Sequence, residues 1–252
     1  MSIFGVMTLF KAGQRHIRLA GTHDLRDVGG YPTADGRRTR WGALLRSDSL
    51  QALPSDSQHA LVTAGLHTVI DLRGKDEIAR WPNVFAAGED VLYYNLPLTN
   101  SPGMYAGDTP PTLADLYRDY LDHHHDELCA IFTAITAPDA TPVLVHCFIG
   151  KDRTGLVIAL ALSAVGVPDE VVADDYALSY DLLLARYEEI RADIIANGQS
   201  LDRFDPYVFS HRETMLETLA HLHQHHGSAA EYLRAAGLAD VALARLRAML
   251  VK

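Results

Sequence analysis

The stretch from Pro142 to Leu162 constrains this chain more than any other. Pro142-Val143-Leu144-Val145 reads as the end of a buried strand, and Leu156 to Leu162 is apolar without a break, as a buried helix would be. Between them lies His146-Cys147-Phe148-Ile149-Gly150-Lys151-Asp152-Arg153-Thr154-Gly155. A strand, a short loop and a helix in that order place the chain in the α/β class. They also put a cysteine at the start of the loop and an arginine at its end.

That loop suits the binding and attack of a phosphate. Backbone N–H groups from Phe148 through Ile149, Gly150, Lys151 and Asp152 to Arg153 are able to curl around an anion, and the helix that follows points its positive end at the same spot. The same field favours a thiolate at Cys147, which makes it the expected nucleophile of a phosphocysteine mechanism. Arg153 supplies a planar fork that grips two phosphate oxygens. Gly150 lets the backbone turn without a side chain in the way. Thr154 is placed to donate its hydroxyl to the sulfur, and His146 to shape the loop through backbone hydrogen bonds. Cys129, standing alone, reads as a small buried hydrophobe. A nucleotide-binding P-loop is excluded, because its glycine and hydroxyl positions are held here by Val145 and Asp152. A sulfurtransferase loop is typically one residue shorter between Cys and Arg.

The whole run His146-Cys147 to Thr154-Gly155 resembles the catalytic loop of the atypical protein-tyrosine, dual-specificity and lipid phosphatases of bacteria. Asp24-Leu25-Arg26-Asp27-Val28-Gly29-Gly30 is similar to that family's N-terminal Asn-x-Arg-Asp-x-Gly-Gly, with Asp24 where Asn is usual, and Val69-Ile70-Asp71-Leu72-Arg73 to its Asp-Leu-Arg strand end. The likeness runs from about Leu19 to the C-terminus. It implies a cysteine-phosphatase fold: a central, mostly parallel sheet flanked by helices, with a helical lid over the site in the 172–205 region. The other reading of that region is an ordinary amphipathic core helix. The implied substrates are phosphotyrosine, phosphoserine or phosphothreonine, and phosphoinositides.

Two acids compete for the role of proton donor. The resemblance favours Asp152, inside the loop; Asp71, at a strand end, is the second candidate. Each has a structural alternative, Asp152 as a loop-ordering carboxylate and Asp71 as the partner of Arg73 or Arg26. Trp81-Pro82-Asn83 looks like the acid-bearing loop of many tyrosine phosphatases but lacks the acid, and reads as a turn with a packed Trp. Lys151 is either a second positive charge, suited to substrates carrying several phosphates, or a solvated loop lysine. A dedicated phosphoinositide phosphatase and a phosphate-binding scaffold are the rival functions; intact Cys147 and Arg153 argue against the scaffold.

The chain has 252 residues, 48% hydrophobic, with a net charge of −10. That is ample for one domain over 1–252, and it argues against nucleic acid and anionic membrane surfaces as standing partners. Two cysteines exclude a disulfide framework and suit a reducing compartment. The apolar run Ile3 to Phe10 is too short to span a membrane. The expectation is a cytoplasmic enzyme with no cofactor and no metal, with export by a route without a signal sequence left open. The histidine runs His123-His124-His125 and His221 to His226 read as solvated helix ends, although His221 and His225 have a zinc-compatible spacing.

Along the chain the pattern predicts a hairpin over Gly29 to Arg46 with Trp41 to Arg46 as its second strand, and a helix from Ser55 to Ala64. Strands follow at Thr68 to Leu72 and Val91 to Leu96, then a loop from Leu98 to Pro111. Helix is predicted over Thr112 to Ile135, from Pro168 through Ala196, over Glu213 to His225 and over Ser228 to Leu250, around the strand Thr141 to His146.

Overall fold

A computed structural model describes residues 9–102, 104, 110–198, 200–203 and 205–252. The N-terminal apolar run lies largely outside the described residues, as does much of the 98–111 loop. Five short strands form one sheet: β1 (Arg26–Asp27), β2 (Leu44–Ser47), β3 (Thr68–Asp71), β4 (Leu92–Asn95) and β5 (Val143–His146). Their spatial order is β1-β2-β5-β3-β4, with β1 antiparallel to β2 and the other pairings parallel. The α/β expectation with a mostly parallel sheet is met.

The helices are α1 (Ser55–Thr63), α2 (Lys75–Arg80), α3 (Leu113–His123), α4 (His125–Ile135), α5 (Asp152–Ala164), α6 (Asp169–Ala196), α7 (Arg212–His226), α8 (Ala229–Ala235) and α9 (Asp240–Leu250). Successive residues of a strand face opposite sides of the sheet, and each side has its own core. Leu44, Ile70, Val143 and Val145 join the larger core with residues of α3, α4, α5 and α7. Leu45, Val69 and Leu144 join a smaller one with Leu61 of α1 and Ile17. Helix α5 is apolar all round because it is covered all round: every residue from Thr154 to Leu162 is buried. Each Leu, Ile or Val in that run contributes about 1.5–3 kcal/mol by leaving water.

Several boundaries differ from the sequence reading. The strand expected at Trp41 begins at Leu44, after Gly42 at φ +72, and the hairpin before it is reduced to one isolated bridge, Pro32 to Arg38. The helix expected over Thr112–Ile135 breaks at His124 (φ −118°, ψ 40°) into α3 and α4. The C-terminal helix breaks at Gly237, φ +106, into α8 and α9. The second histidine run is a solvated end only in part: His223 and His225 are exposed, whereas His221 and His226 are part-buried and both turn onto Asp122 of α3. The 172–205 region is not a separate flap throughout. Val172, Ala173, Asp175, Tyr176 and Ser179 of α6 are buried in the body of the protein. Asp175 there sits between Arg26 and Arg46, 3.4 and 2.7 Å away. Only from Tyr180 onward does α6 leave the core proper. No helix among the described residues is long and apolar enough to cross a membrane.

Candidate active site

Strands β2, β3 and β5 end in register, with Ser47 and Asp71 on either side of His146. The loops leaving these three ends converge at the carboxyl edge of the sheet, where open α/β sheets place their ligands. The loop from Cys147 to Lys151 joins β5 to α5. It turns at Gly150, φ +82, so tightly against β2 that a Cβ there would lie 2.5 Å from the Ser47 carbonyl oxygen and from Asp48 N. Arg46 donates to the Gly150 carbonyl at 2.9 Å, and Ser49 N–H to the Phe148 carbonyl at 3.0 Å. Folded in this way, the loop directs the Gly150 N–H onto Cys147 Sγ at 3.3 Å. The cysteine is 2% exposed. The hydroxyl of Thr154, expected on the sulfur, makes no hydrogen bond among the described residues. Phe148 packs on Trp81, ring centroids 4.9 Å apart. Ile149 packs under Leu183, Tyr187 and Val208, so the outer part of α6 and the segment beyond it cover the loop.

His146 is held neutral by its neighbours. The Asn83 carbonyl oxygen accepts from Phe85 N–H, which turns the Asn83 amide N–H groups toward Asp71 and His146 Nε2, 3.2 and 2.8 Å away. Nε2 therefore accepts, and Nδ1–H donates to the Cys147 carbonyl at 2.9 Å. Complete burial lowers the His146 pKa against the pull of Asp71. The loop is thus tied at its first peptide, and Asn83 of the Trp-Pro-Asn turn is the residue that fixes the tautomer.

Arg153, in the first turn of α5, meets Glu77 of α2. Nη1 and Nη2 donate to the two carboxylate oxygens at 2.7 and 2.9 Å, and Nη1 also donates to the Leu72 carbonyl at 3.3 Å. Burial opposes the guanidinium charge, but Glu77 and the nearby sulfur outweigh it and raise the Arg153 pKa. An arginine has five N–H bonds. The two left without a partner among the described residues are Nε–H and the second Nη2–H, which share one edge of the fork. Glu77 also accepts the Gly74 N–H that opens α2, at 2.8 Å.

The two candidate acids separate. Asp152 borders a cavity of about 390 Å³ together with Arg153, Glu77, Leu98, Leu116, Tyr117, Tyr120 and Tyr207. Its Oδ1 accepts from Tyr117 Oη at 2.5 Å, and Tyr117 in turn contacts Tyr176 Oη at 2.8 Å. Burial and the Asp152 charge raise the Tyr117 pKa, so this hydroxyl stays a donor. Asp71 is fully buried and does not border the cavity. It takes Arg73 in a two-oxygen pair, at 2.9 and 2.7 Å, and its Oδ2 also accepts from Tyr93 Oη at 3.0 Å. Burial works against its charge, yet the paired Arg73 guanidinium holds the carboxyl below its ordinary range. Lys151 is 1% exposed. Its ammonium donates to the carbonyls of Tyr207 and Phe209 and lies 3.4 Å from Asp152 Oδ1. It is neither a solvated lysine nor a charge offered to the cavity. Glu77 and Tyr117 were absent from the sequence reading, and Asn83 entered it only as the last residue of the Trp-Pro-Asn turn.

Residues 17–252 match the tyrosine phosphatase family. A tyrosine-protein phosphatase of Nostoc commune is 30% identical over 82% of this chain and 74% of its own length. The triple specificity protein phosphatase PtpB of Mycobacterium tuberculosis is 28% identical over 92% of this chain and 98% of its own. A solved structure of P. aeruginosa TpbA in complex with pTyr superposes on 53% of this chain and 66% of its own, at 21% identity and a TM-score of 0.35. The chain belongs to the tyrosine phosphatase family, whose members hydrolyse phosphomonoesters.

Proposed function

We propose that this member of the tyrosine phosphatase family hydrolyses phosphotyrosine through a phosphocysteine intermediate, with Cys147 as nucleophile, Arg153 as phosphate clamp and Asp152 as general acid. The observation that carries the reading is the hydrogen bond from Gly150 N–H to Cys147 Sγ, made at the start of a helix, beside a guanidinium with one edge unengaged among the described residues. The Cys147 thiolate attacks phosphorus while the N–H groups of residues 148–153, the α5 dipole and the open edge of Arg153 hold the phosphate oxygens. The ester oxygen leaves with a proton from Asp152. Water then attacks phosphorus, returns that proton to Asp152, and sulfur departs as thiolate. His146, Asn83, Asp71 and Glu77 are positioning residues: they hold the loop and the fork.

Preference for an aryl ester follows from the cavity walls. Tyr117, Tyr120, Leu98 and Leu116 offer aromatic and aliphatic faces to a phenyl ring. Phosphoserine, phosphothreonine and phosphoinositides stand as secondary substrates. The basis for a phosphoinositide preference was a free Lys151 charge, and that ammonium is engaged by carbonyls. A reducing compartment completes the reading, since the thiolate survives there. The test is turnover of p-nitrophenyl phosphate near pH 6 with EDTA present, wild type beside Cys147→Ser, followed by phosphotyrosine peptides against soluble phosphoinositides. Turnover lost in Cys147→Ser supports the mechanism and equal turnover refutes it. Faster hydrolysis of phosphoinositides than of phosphopeptides refutes the proposed preference.

A further inference from the structure

At the C-terminal end of α3, two residues beyond Tyr120 of the cavity wall, three metal-binding side chains meet. Asp122 is one residue from the end of α3, and His221 and His226 lie on the last turns of α7. His221 Nε2 is 2.9 and 3.1 Å from the two oxygens of Asp122, and His226 Nε2 is 2.8 Å from one of them. One ligand atom from each of the three residues falls within 4.8 Å of the others. More imidazoles crowd the same place: the His225 ring is centred 4.4 Å from that of His221, and the His125 ring 6.0 Å from that of His226. The side chains of Asp122, His221 and His226 are 34, 17 and 22% exposed, so water has access to complete a coordination sphere.

We propose that Asp122, His221 and His226 form a site for a divalent transition ion of the Zn²⁺ class, joining α3 to α7. Two imidazole nitrogens and one carboxylate oxygen are a donor set that suits Zn²⁺, Co²⁺ or Ni²⁺ and not Mg²⁺ or Ca²⁺, which prefer oxygen alone. Small side-chain rotations bring the three atoms to the ~2.0–2.2 Å of zinc ligands, with water or a neighbouring imidazole as the fourth. The site is distinct from the catalytic loop and its chemistry. Its effect is mechanical: α3 supplies Leu113, Leu116, Tyr117 and Tyr120 to the cavity wall, and a metal at its C-terminal end fixes that helix against α7.

The catalytic thiol is itself a soft metal ligand, so the test uses the full chain carrying Cys147→Ser. It is titrated calorimetrically with ZnCl₂ and with MgCl₂, beside the same protein carrying His221→Ala/His226→Ala or Asp122→Asn. The expected result is one equivalent of Zn²⁺ bound, at least tenfold weaker in either variant, with no Mg²⁺ heat. At hundredfold saturation the melting temperature of the Cys147→Ser protein should rise by about 5–10 °C. Unchanged affinity in the variants, or no saturable Zn²⁺ binding, overturns the proposal. If the double variant does not fold, Asp122→Asn decides. If neither folds, the Co²⁺ spectrum of the Cys147→Ser protein does: visible bands of a nitrogen-ligated, low-coordinate ion support the site, and the spectrum of hydrated Co²⁺ overturns it.

Discussion

Replacing Glu77 with Gln tests whether the fork of Arg153 is held or blocked. In the structure the Glu77 carboxylate accepts from both terminal nitrogens, at 2.7 and 2.9 Å, with the two side chains 17 and 29% exposed. Among the described residues that leaves Nε–H and one Nη2–H without a partner, on the common edge proposed for phosphate. Glu77→Gln keeps one acceptor and turns an amide N–H₂ against the other Nη. A hydrogen bond to a charged group is worth about 1.5–3 kcal/mol. If that orientation matters only when the fork meets the transferring phosphoryl group, the loss appears as an equal rise in the barrier, about 10- to 150-fold in kcat/KM at 1.36 kcal/mol per decade. The assay is kcat/KM for p-nitrophenyl phosphate, with the inhibition constant for inorganic phosphate measured beside it. The expected outcome is a fall in kcat/KM and weaker phosphate inhibition, with the melting temperature changed little. An enzyme as active as wild type, or one inhibited more tightly by phosphate, would refute the reasoning: Glu77 would then be a competitor for Arg153, not its support.

Three further outcomes follow from the same geometry. Asp152→Asn should cost about 10²–10⁴-fold in kcat on phosphotyrosine, and markedly less on p-nitrophenyl phosphate, whose leaving group needs little help; equal losses on both would reduce Asp152 to an anchor for Tyr117 and Lys151. Gly150→Ala places a methyl 2.5 Å from the β2 backbone in a residue at φ +82, so both stability, by about 1–3 kcal/mol for the backbone conformation alone, and turnover should fall; normal melting and normal turnover together would contradict the loop geometry. Burial opposes ionisation of Asp175, but Arg26 and Arg46 outweigh it and hold the carboxyl well below its ordinary range. A depressed carboxyl contributes stability that is complete above its unfolded pKa of about 3.9 and is lost as pH falls through the folded value. Asp175→Asn should therefore cost about 3–5 kcal/mol near pH 7 and show a flatter loss below pH 4; denaturant melts at several pH values read both, and unchanged stability at pH 7 would count against the buried network.

What could be read from the sequence was what neighbours in sequence decide. The Cys147 loop lies between a four-residue strand and an apolar helix, and each of those is a local pattern. The boundaries that slipped are set by single backbone torsions, at Gly42, His124 and Gly237, which apolar periodicity does not encode. Helix α2 is six residues long with no buried position, so it carries no apolar stripe to detect. Glu77, Asn83 and Tyr117 reach the site across 76, 63 and 35 residues of chain through single hydrogen bonds or ion pairs. A faint signal existed for Glu77, three residues after the Gly that opens α2, where a capping carboxylate is common. Asp122 and the α7 histidines are about a hundred residues apart, and helical spacing within α7 pointed to His225 instead of His226.

Strand β5 has a parallel neighbour on each side, β2 and β3, and it leads straight into Cys147, the proposed nucleophile. An interior strand is among the last parts of a protein to exchange its amide protons, since releasing it means dismantling the sheet. Heat inactivation should then coincide with global unfolding. For such a catalyst, lifetime and folding free energy are one property.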